Sequence, residues 1–492
     1  MFEVAELGQT VSKEEFARLA LDLRLQLLEV QQQLKSANFP LIVLISGVDG
    51  AGKGETINLL NEWWDPRYVR SDAFGSPTDE ERERPEFWRF WRALPARGHI
   101  ASYVGSWYSS PLSLRVNDKI SDVELDEKLK RINTFEKELV DGGALIIKIW
   151  LHLSKDKQKA RIKKLESNPK TRWRVSKQDH KHLKLYNKFR GIAEYVLRVT
   201  GTGEAPWTII EGADKCYRSL TVGQYILARL GERLEQQTAA TISRNMSSPL
   251  AGVNPPRTVL DTLDLTRTLE QKDYKSQLAK YQGKLHLNAR TALAKGISSV
   301  IVLEGWDAAG KGGVIRRVIP ALDARFYHVI PIAAPTEEER AHHYLWRFWR
   351  HVSRRGHFTI YDRSWYGRVL VERVENLARK DEWMCAYAEI NDFEAQLIEH
   401  DIVLTKFWLH IDKDEQLRRF KVREETPFKR YKITEEDYRN REKWEDYEQA
   451  VNDMIERTST ECSPWVLVES NDKRFARLKI IKTISKRLQQ VL

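Results

Sequence analysis

The sequence predicts an α/β fold in which one domain is written twice in tandem, each copy a parallel sheet flanked by helices. Three observations predict it. Near-continuous apolar runs alternate with helical patterns, as parallel strands covered on both faces require. A set of landmarks recurs at one constant spacing along the chain. A glycine-rich loop follows an apolar run in both halves.

The repeat comes first, because it sets the domain count. SGVDGAGKG begins at Ser46 and EGWDAAGKG at Glu304; their first glycines, Gly47 and Gly305, lie 258 positions apart (305 − 47). The same shift carries Trp88-Arg89-Phe90-Trp91-Arg92 onto Trp346-Arg347-Phe348-Trp349-Arg350, and Gly98-His99 onto Gly356-His357. It carries Ser106-Trp107-Tyr108 onto Ser364-Trp365-Tyr366, Trp150-Leu151-His152 onto Trp408-Leu409-His410, and Pro206-Trp207 onto Pro464-Trp465. A shift this constant leaves almost no room for insertions. A period this long is a duplicated domain, not a solenoid.

In chain order, Ser12 and Glu15 form a capping-box pattern that opens a helix, and Phe16, Leu19, Leu23, Leu27 and Val30 recur at helical spacing. Strands follow at Leu41 to Ile45, Ile100 to Val104, Ala144 to Leu151 and Trp207 to Ile210. The second copy repeats them at Val300 to Leu303, Phe358 to Tyr361, Ile402 to Leu409 and Trp465 to Val468. Between the copies, residues 236–270 are rich in Ser, Thr, Pro and Asn, with SSPLAGVNPPR at the centre. That composition reads as a linker. The expected domains are therefore residues 1–235 and 271–492.

Composition bounds the function. The 492 residues are 41% hydrophobic and 31% charged, the balance of a globular protein of two or more domains. A net charge of +11 favours polyanionic partners: nucleic acid, anionic lipid or polyphosphate. No apolar run approaches the roughly 20 residues that cross a bilayer, and the N-terminus lacks a secretory layout. The three scattered cysteines, Cys216, Cys385 and Cys462, outline neither a disulfide framework nor a zinc site. A cytoplasmic protein with no membrane partner is expected.

The second copy carries the chemistry. Ile301 to Gly313 reads IVLEGWDAAGKGG: a strand, Gly305, then Gly310-Lys311-Gly312 and a helix. This is the G-x-x-x-x-G-K phosphate loop. Glycines let backbone N–H groups crowd phosphate oxygens, the helix N-terminus adds favourable partial charge, and Lys311 reaches the terminal phosphates. Gly312 occupies the position where a Ser or Thr ordinarily helps hold magnesium, so Asp307 becomes the nearest candidate. Downstream, a strand ends in Asp362-Arg363-Ser364-Trp365-Tyr366. A carboxylate at a strand end beside a phosphate loop is where a magnesium-binding Asp belongs. Asp307 and Asp362 together are the candidate metal ligands. Arg316, Arg317, Arg347, Arg350, Arg363, Arg418, Arg419, Lys421, Arg423, Lys429, Arg430 and Lys432 supply cations for phosphate oxygens, which Arg binds as a fork. The stretch from Lys413 to Glu425 also fits a solvated helix face. Pro427 to Tyr431, interrupted by proline and aromatics, reads as a mobile lid.

The first copy keeps Asp49 and Lys53 but has Val104 for Asp362, Gly105 for Arg363, Asn58 and Leu59 for Arg316 and Arg317, Leu114 for Glu372, Leu165 for Arg423 and Thr171 for Lys429. Without these groups, charge developing in phosphoryl transfer has no clamp. The first copy is expected to fold alike without catalysing, and to bind phosphate or serve as an interface.

These motifs resemble the polyphosphate kinase 2 family. The match lies in GWDAAGKGG at Gly305 to Gly313, PTEEER at Pro335 to Arg340, DRSWYGRVLVERV at Asp362 to Val374 and PFKRYKI at Pro427 to Ile433; WEDYEQA from Trp444 and PWVLVESNDK from Pro464 extend it. The glycine at 312 is itself part of the family pattern. The resemblance implies tandem P-loop kinase-like domains with a helical lid, the C-terminal one active as in fused two-domain members. It implies transfer of the terminal phosphoryl group of inorganic polyphosphate to AMP, giving ADP, with Mg2+ as cofactor. By position, Asp307 and Lys311 belong to the reacting centre, Asp362 is a metal ligand and Arg363 a phosphate ligand; Glu372 and Arg430 also match. Gly305, Gly310, Lys311, Gly312, Arg316, Arg317 and Arg430 are the expected phosphate-binding set. Self-association into a homo-oligomer is implied too.

Two other readings stay open on the residues alone. An ATP-dependent nucleotide or small-molecule kinase shares the loop and the Asp. A non-enzymatic polyanion or nucleic-acid binder would interleave Trp with basic residues, as in WRFWR. No recognised single- or double-strand binding motif is present, and WRFWR recurs in both copies, which suits packing; no nucleic-acid partner is expected.

Overall fold

The computed structural model describes residues 1–175, 177–243, 258–427, 430, 433 and 435–492. The chain divides into two compact units: Met1–Pro77, Arg89–Pro249 and Arg340–His343 form one, and Thr78–Trp88, Leu250–Glu339 and Tyr344–Leu492 the other. The helix Lys215–Ser243 runs through the first residues of the expected linker. The centre of that stretch, SSPLAGVNPPR, lies outside the described residues.

Each unit holds a five-stranded, wholly parallel sheet. The strands of the first are β1 (Leu41–Gly47), β2 (Val69–Ala73), β3 (Ile100–Val104), β4 (Leu145–His152) and β5 (Trp207–Glu211), in the order β2-β3-β1-β4-β5. Those of the second are β6 (Ser298–Gly305), β7 (Tyr327–Pro331), β8 (Phe358–Asp362), β9 (Ile402–His410) and β10 (Trp465–Glu469), in the equivalent order β7-β8-β6-β9-β10. Eight strands fall where the apolar runs place them. The remaining two, the edge strands β2 and β7, carry half-exposed, mixed residues and leave no apolar run to read, unlike the opposite edges β5 and β10. The helix Lys13–Lys35 opens on Ser12, whose side chain accepts from Glu15 N, and buries Leu23 and Leu27 as its periodicity requires.

The glycine-rich loops leave the central strands β1 and β6. Neighbouring strands run to either side of each, so the loops open at the carboxyl ends of the sheet, where the strand order reverses. Parallel α/β sheets place ligands at that crevice. The Ser-Trp-Tyr segments, which follow β3 and β8, are tied to a buried ion pair in each unit. Trp365 Nε1 and Tyr366 OH donate to the buried Glu394 at 3.0 and 2.6 Å, and Lys406 Nζ pairs with the same carboxylate at 2.7 Å. Trp107, Tyr108, Glu136 and Lys148 repeat this arrangement in the first copy. Trp91 and Trp349, from the Trp-Arg clusters, are fully buried.

Candidate active site

The loop of the second copy is held by its own backbone and by braces from distant helices. Gly305 sits at φ +147°, and a Cβ there would come within 2.5 Å of Leu409 O, so the position admits only glycine. Gly310, at φ +119°, caps the helix Lys311–Val318. Gly312 faces open space, so nothing steric keeps a hydroxyl residue out. Arg419 donates to Ala308 O and Ala309 O, both at 2.9 Å, and also to Ser470 O and Asn471 O. Ser470 Oγ donates to Ala309 O at 2.8 Å, and Gln416 Nε2 to Asp307 O at 3.2 Å. Trp306 N and Ala309 N donate within the fold, while the N–H groups of Asp307, Ala308, Gly310, Lys311 and Gly312 have no acceptor among the described residues, the arrangement an anion needs.

Four expected residues converge here. Lys311 Nζ lies back on the loop, donating to Gly305 O at 2.6 Å and Trp306 O at 3.3 Å. Asp307 accepts from Arg363 Nη2 at 2.9 Å and Asn440 Nδ2 at 3.1 Å. Asp362 ends β8, in register with Leu303 of β6, and its carboxylate has no hydrogen-bond or ion-pair partner among the described residues. Arg363 follows at φ +63°, a left-handed backbone that costs a non-glycine residue roughly 1 kcal/mol or more. Ala308 is held at φ +63° as well. In the first copy both positions are glycine, Gly50 and Gly105, and the same conformation is unstrained.

The electrostatics are those of a compact charge cluster. Burial raises the Asp307 carboxyl, but Lys311 and Arg363 outweigh it and hold the group below the usual carboxylate range. Burial lowers the Lys311 ammonium, against the pull of Asp307, Asp362 and Glu304. Burial also pushes up the carboxyl of Glu304, which accepts from Ser364 Oγ at 2.8 Å.

Other expected residues stand apart. Glu372 pairs with Arg368 at 2.9 Å. Arg316 is exposed, and Arg317 Nη1 turns back onto Gly313 O at 3.3 Å. Arg430 Nε donates to Glu424 O at 2.7 Å. Arg347 and Arg350 pair with Glu339 and Glu338. Arg418 pairs with Glu415 on an exposed face, whereas Arg419 is buried as the loop brace described above. Phe428, Lys429, Tyr431 and Lys432 of the expected lid lie outside the described residues.

Several contributors were not among the expected site residues. Glu304 opens the loop segment and Ser470 lies in the PWVLVESNDK stretch, whereas Asn440 and Gln416 reach the loop from segments outside the quoted motifs. Trp306 stacks on Trp444 with ring centroids 3.8 Å apart and planes 8° from parallel, and its Nε1 donates to His410 Nδ1 at 3.2 Å. Gln416 has a sequence signal in its recurrence at Gln158, whose Nε2 makes the matching bond to Asp49 O.

Known proteins resemble the chain over its full length. It is 52% identical over 486 residues to a polyphosphate:AMP phosphotransferase of Pseudomonas aeruginosa, covering 99% of this chain and 98% of that protein. It is 51% identical to a polyphosphate:AMP phosphotransferase of Pseudomonas syringae pathovar tomato, covering 100% and 98%. A crystal structure described as a polyphosphate kinase 2 from Pseudomonas aeruginosa superposes with a TM-score of 0.89 at 49% identity, covering 100% of this chain and 99% of that one. The profile of the polyphosphate kinase 2 family matches residues 10–238 and again 268–491. Both halves of the chain thus belong to the polyphosphate kinase 2 family.

Proposed function

We propose that the protein is a polyphosphate:AMP phosphotransferase, moving the terminal phosphoryl group of inorganic polyphosphate to AMP to give ADP. The observation that carries this reading is the cluster of Asp307, Lys311, Asp362 and Arg363 at the carboxyl ends of β6 and β8. The relatives' names supply the donor and the acceptor. In the domain organisation we propose, residues 271–492 catalyse, residues 236–270 link, and residues 1–235 do not catalyse. The first copy has Val104 and Gly105 where the second has Asp362 and Arg363. We place the protein in the cytoplasm as a homo-oligomer. Among the described residues, no helix is long and apolar enough to cross a membrane.

The residues suit phosphoryl transfer, which needs positioning and charge neutralisation more than covalent chemistry. Loop N–H groups, Lys311 and Arg363 bind and orient phosphate oxygens. Among the described residues no group of three or more His, Cys, Asp or Glu is placed to hold a metal. Magnesium does not need one: it takes hard oxygen ligands, often one or two carboxylates with substrate phosphates completing the shell. Asp362, with its unengaged carboxylate, and Asp307 fit that demand. Bound there, the ion would neutralise charge on the phosphoryl oxygens. A phosphate monoester such as AMP is mostly dianionic at neutral pH, because its second pKa is about 6, so the acceptor needs little help from a general base.

The test is ADP formation from AMP, magnesium and long-chain polyphosphate without ATP. Wild type and Lys53→Ala should form ADP, and Asp362→Asn should not. Phosphoryl transfer only once ATP is supplied would move the assignment to an ATP-dependent kinase.

A further inference from the structure

The loop of the first copy opens onto a cavity of about 480 Å³, of the size that holds a small organic ligand. The cavity follows from the substitutions that removed the catalytic groups. Val48 stands where Trp306 stacks on Trp444, and Tyr186 stands for Trp444. Val104 and Gly105 stand for Asp362 and Arg363. A tryptophan and two charged side chains are thereby exchanged for small or apolar ones, and Leu112, Val116 and Phe189 line what opens.

The lining is not uniformly apolar. Ser109, Ser113 and Asn117 recur every four residues along one helix face and reach the cavity, where the second copy has Gly367, Val371 and Glu375. Gln158, only 2% exposed, also lines it. Its Nε2 donates to Asp49 O, but its Oε1 has no hydrogen-bond partner among the described residues. The equivalent oxygen of Gln416 accepts from Arg441, for which the first copy has Leu183. A buried acceptor left without a donor is destabilising, so a ligand offering an O–H or N–H there gains by satisfying it.

The charge left at the loop limits what can bind. Lys53 Nζ donates to Gly47 O at 2.9 Å and Val48 O at 3.0 Å, in the pose of Lys311. Asp49 is held by His182 at 2.5 Å, not by an arginine. With Gly105 in place of Arg363, one lysine and the loop N–H groups match a single phosphate group better than a chain of them. The loss of the Asp362 carboxylate removes one of the two candidate metal ligands as well, and the counterpart of the other, Asp49, is paired with His182.

We propose that the first copy is a metal-independent binding site for a nucleoside monophosphate. Its phosphate sits on the loop from Gly47 to Lys53. Its base and sugar enter the cavity beside Val104 and Gly105, with Gln158 and the Ser109–Asn117 face meeting their polar edges. This site lies in the copy proposed not to catalyse, and its test reads binding, so it stands or falls apart from the reaction assigned to the second copy.

The experiment is calorimetric titration of the full chain with AMP in EDTA, using wild type, Val48→Trp, Lys53→Ala and Lys311→Ala. Val48→Trp refills the cavity with the second copy's own residue, and Lys53→Ala removes the cation without adding bulk. Circular dichroism melts establish that each variant folds. The expected result is saturable AMP binding, weakened at least tenfold by Val48→Trp and by Lys53→Ala and persisting in Lys311→Ala. Adenosine and inorganic tripolyphosphate should each bind at least tenfold more weakly than AMP. The proposal is overturned if no AMP binds in EDTA, if binding is lost in Lys311→Ala but kept in the other two variants, or if tripolyphosphate or adenosine binds the first copy as tightly as AMP.

Discussion

Arg363 donates from Nη2 to Asp307 Oδ1 at 2.9 Å, from a backbone held at φ +63°. The bond joins the phosphate loop after β6 to the end of β8, across 56 residues of chain. The left-handed turn directs the side chain to that carboxylate, and the first copy keeps the turn, in Gly105, without the side chain. Strain that persists where a relaxed alternative exists marks a position under functional demand.

Arg363→Ala should therefore lower kcat by about 100-fold or more, the scale on which one preorganised charge-stabilising donor contributes. The AMP concentration at half-maximal rate should change far less. Steady-state rates with polyphosphate and AMP check this. A raised half-maximal AMP concentration with kcat unchanged would assign Arg363 to uniform binding instead.

Asp307 has both oxygens engaged, by Arg363 and by Asn440. Asp307→Asn keeps the shape but removes the charge that positions metal and acceptor. Turnover should fall at least tenfold at saturating magnesium. Near-full turnover of this variant would show that the carboxylate is dispensable.

Two loop glycines should differ in what they tolerate. Gly305→Ala puts a Cβ 2.5 Å from Leu409 O at a φ of +147°, and should destabilise the second unit by roughly 2 kcal/mol or more. Gly312→Ser enters open space and should change stability by about 0.5 kcal/mol or less. Thermal melts of the two variants side by side decide it.

His410 gives stability a pH dependence. Its Nδ1 accepts from Trp306 Nε1, and burial lowers its pKa from 6.5 to about 4. Folding thus favours the neutral ring. The contribution is fully present above pH 6.5 and is lost progressively as the pH falls through 4. At about 1.4 kcal/mol per pH unit, the full effect is on the order of 3 kcal/mol. Denaturant titrations between pH 7.5 and 4.5 should show the decline, and His410→Gln, which keeps an acceptor but does not titrate, should flatten it.

The sequence by itself determined the duplication, every strand of both sheets except β2 and β7, and the four residues of the charge cluster. Each rests on local information: a constant spacing, an apolar run, a glycine-lysine loop, or an Asp-Arg pair closing a strand. The Asp362-Arg363-Ser364-Trp365-Tyr366 stretch divides in two. Asp362 and Arg363 face the loop, while Trp365 and Tyr366 serve the buried Glu394–Lys406 pair that both copies share. That is why Ser-Trp-Tyr survives at Ser106 to Tyr108, where the chemistry does not. The tertiary structure decided what no local pattern encodes. It set Arg419 to bracing the loop, brought Asn440 to Asp307 across 133 residues and put Trp444 on Trp306. Only folding makes residues so far apart in the chain neighbours, and a cavity such as that beside Gly105 exists only once the walls around the missing side chains are in place.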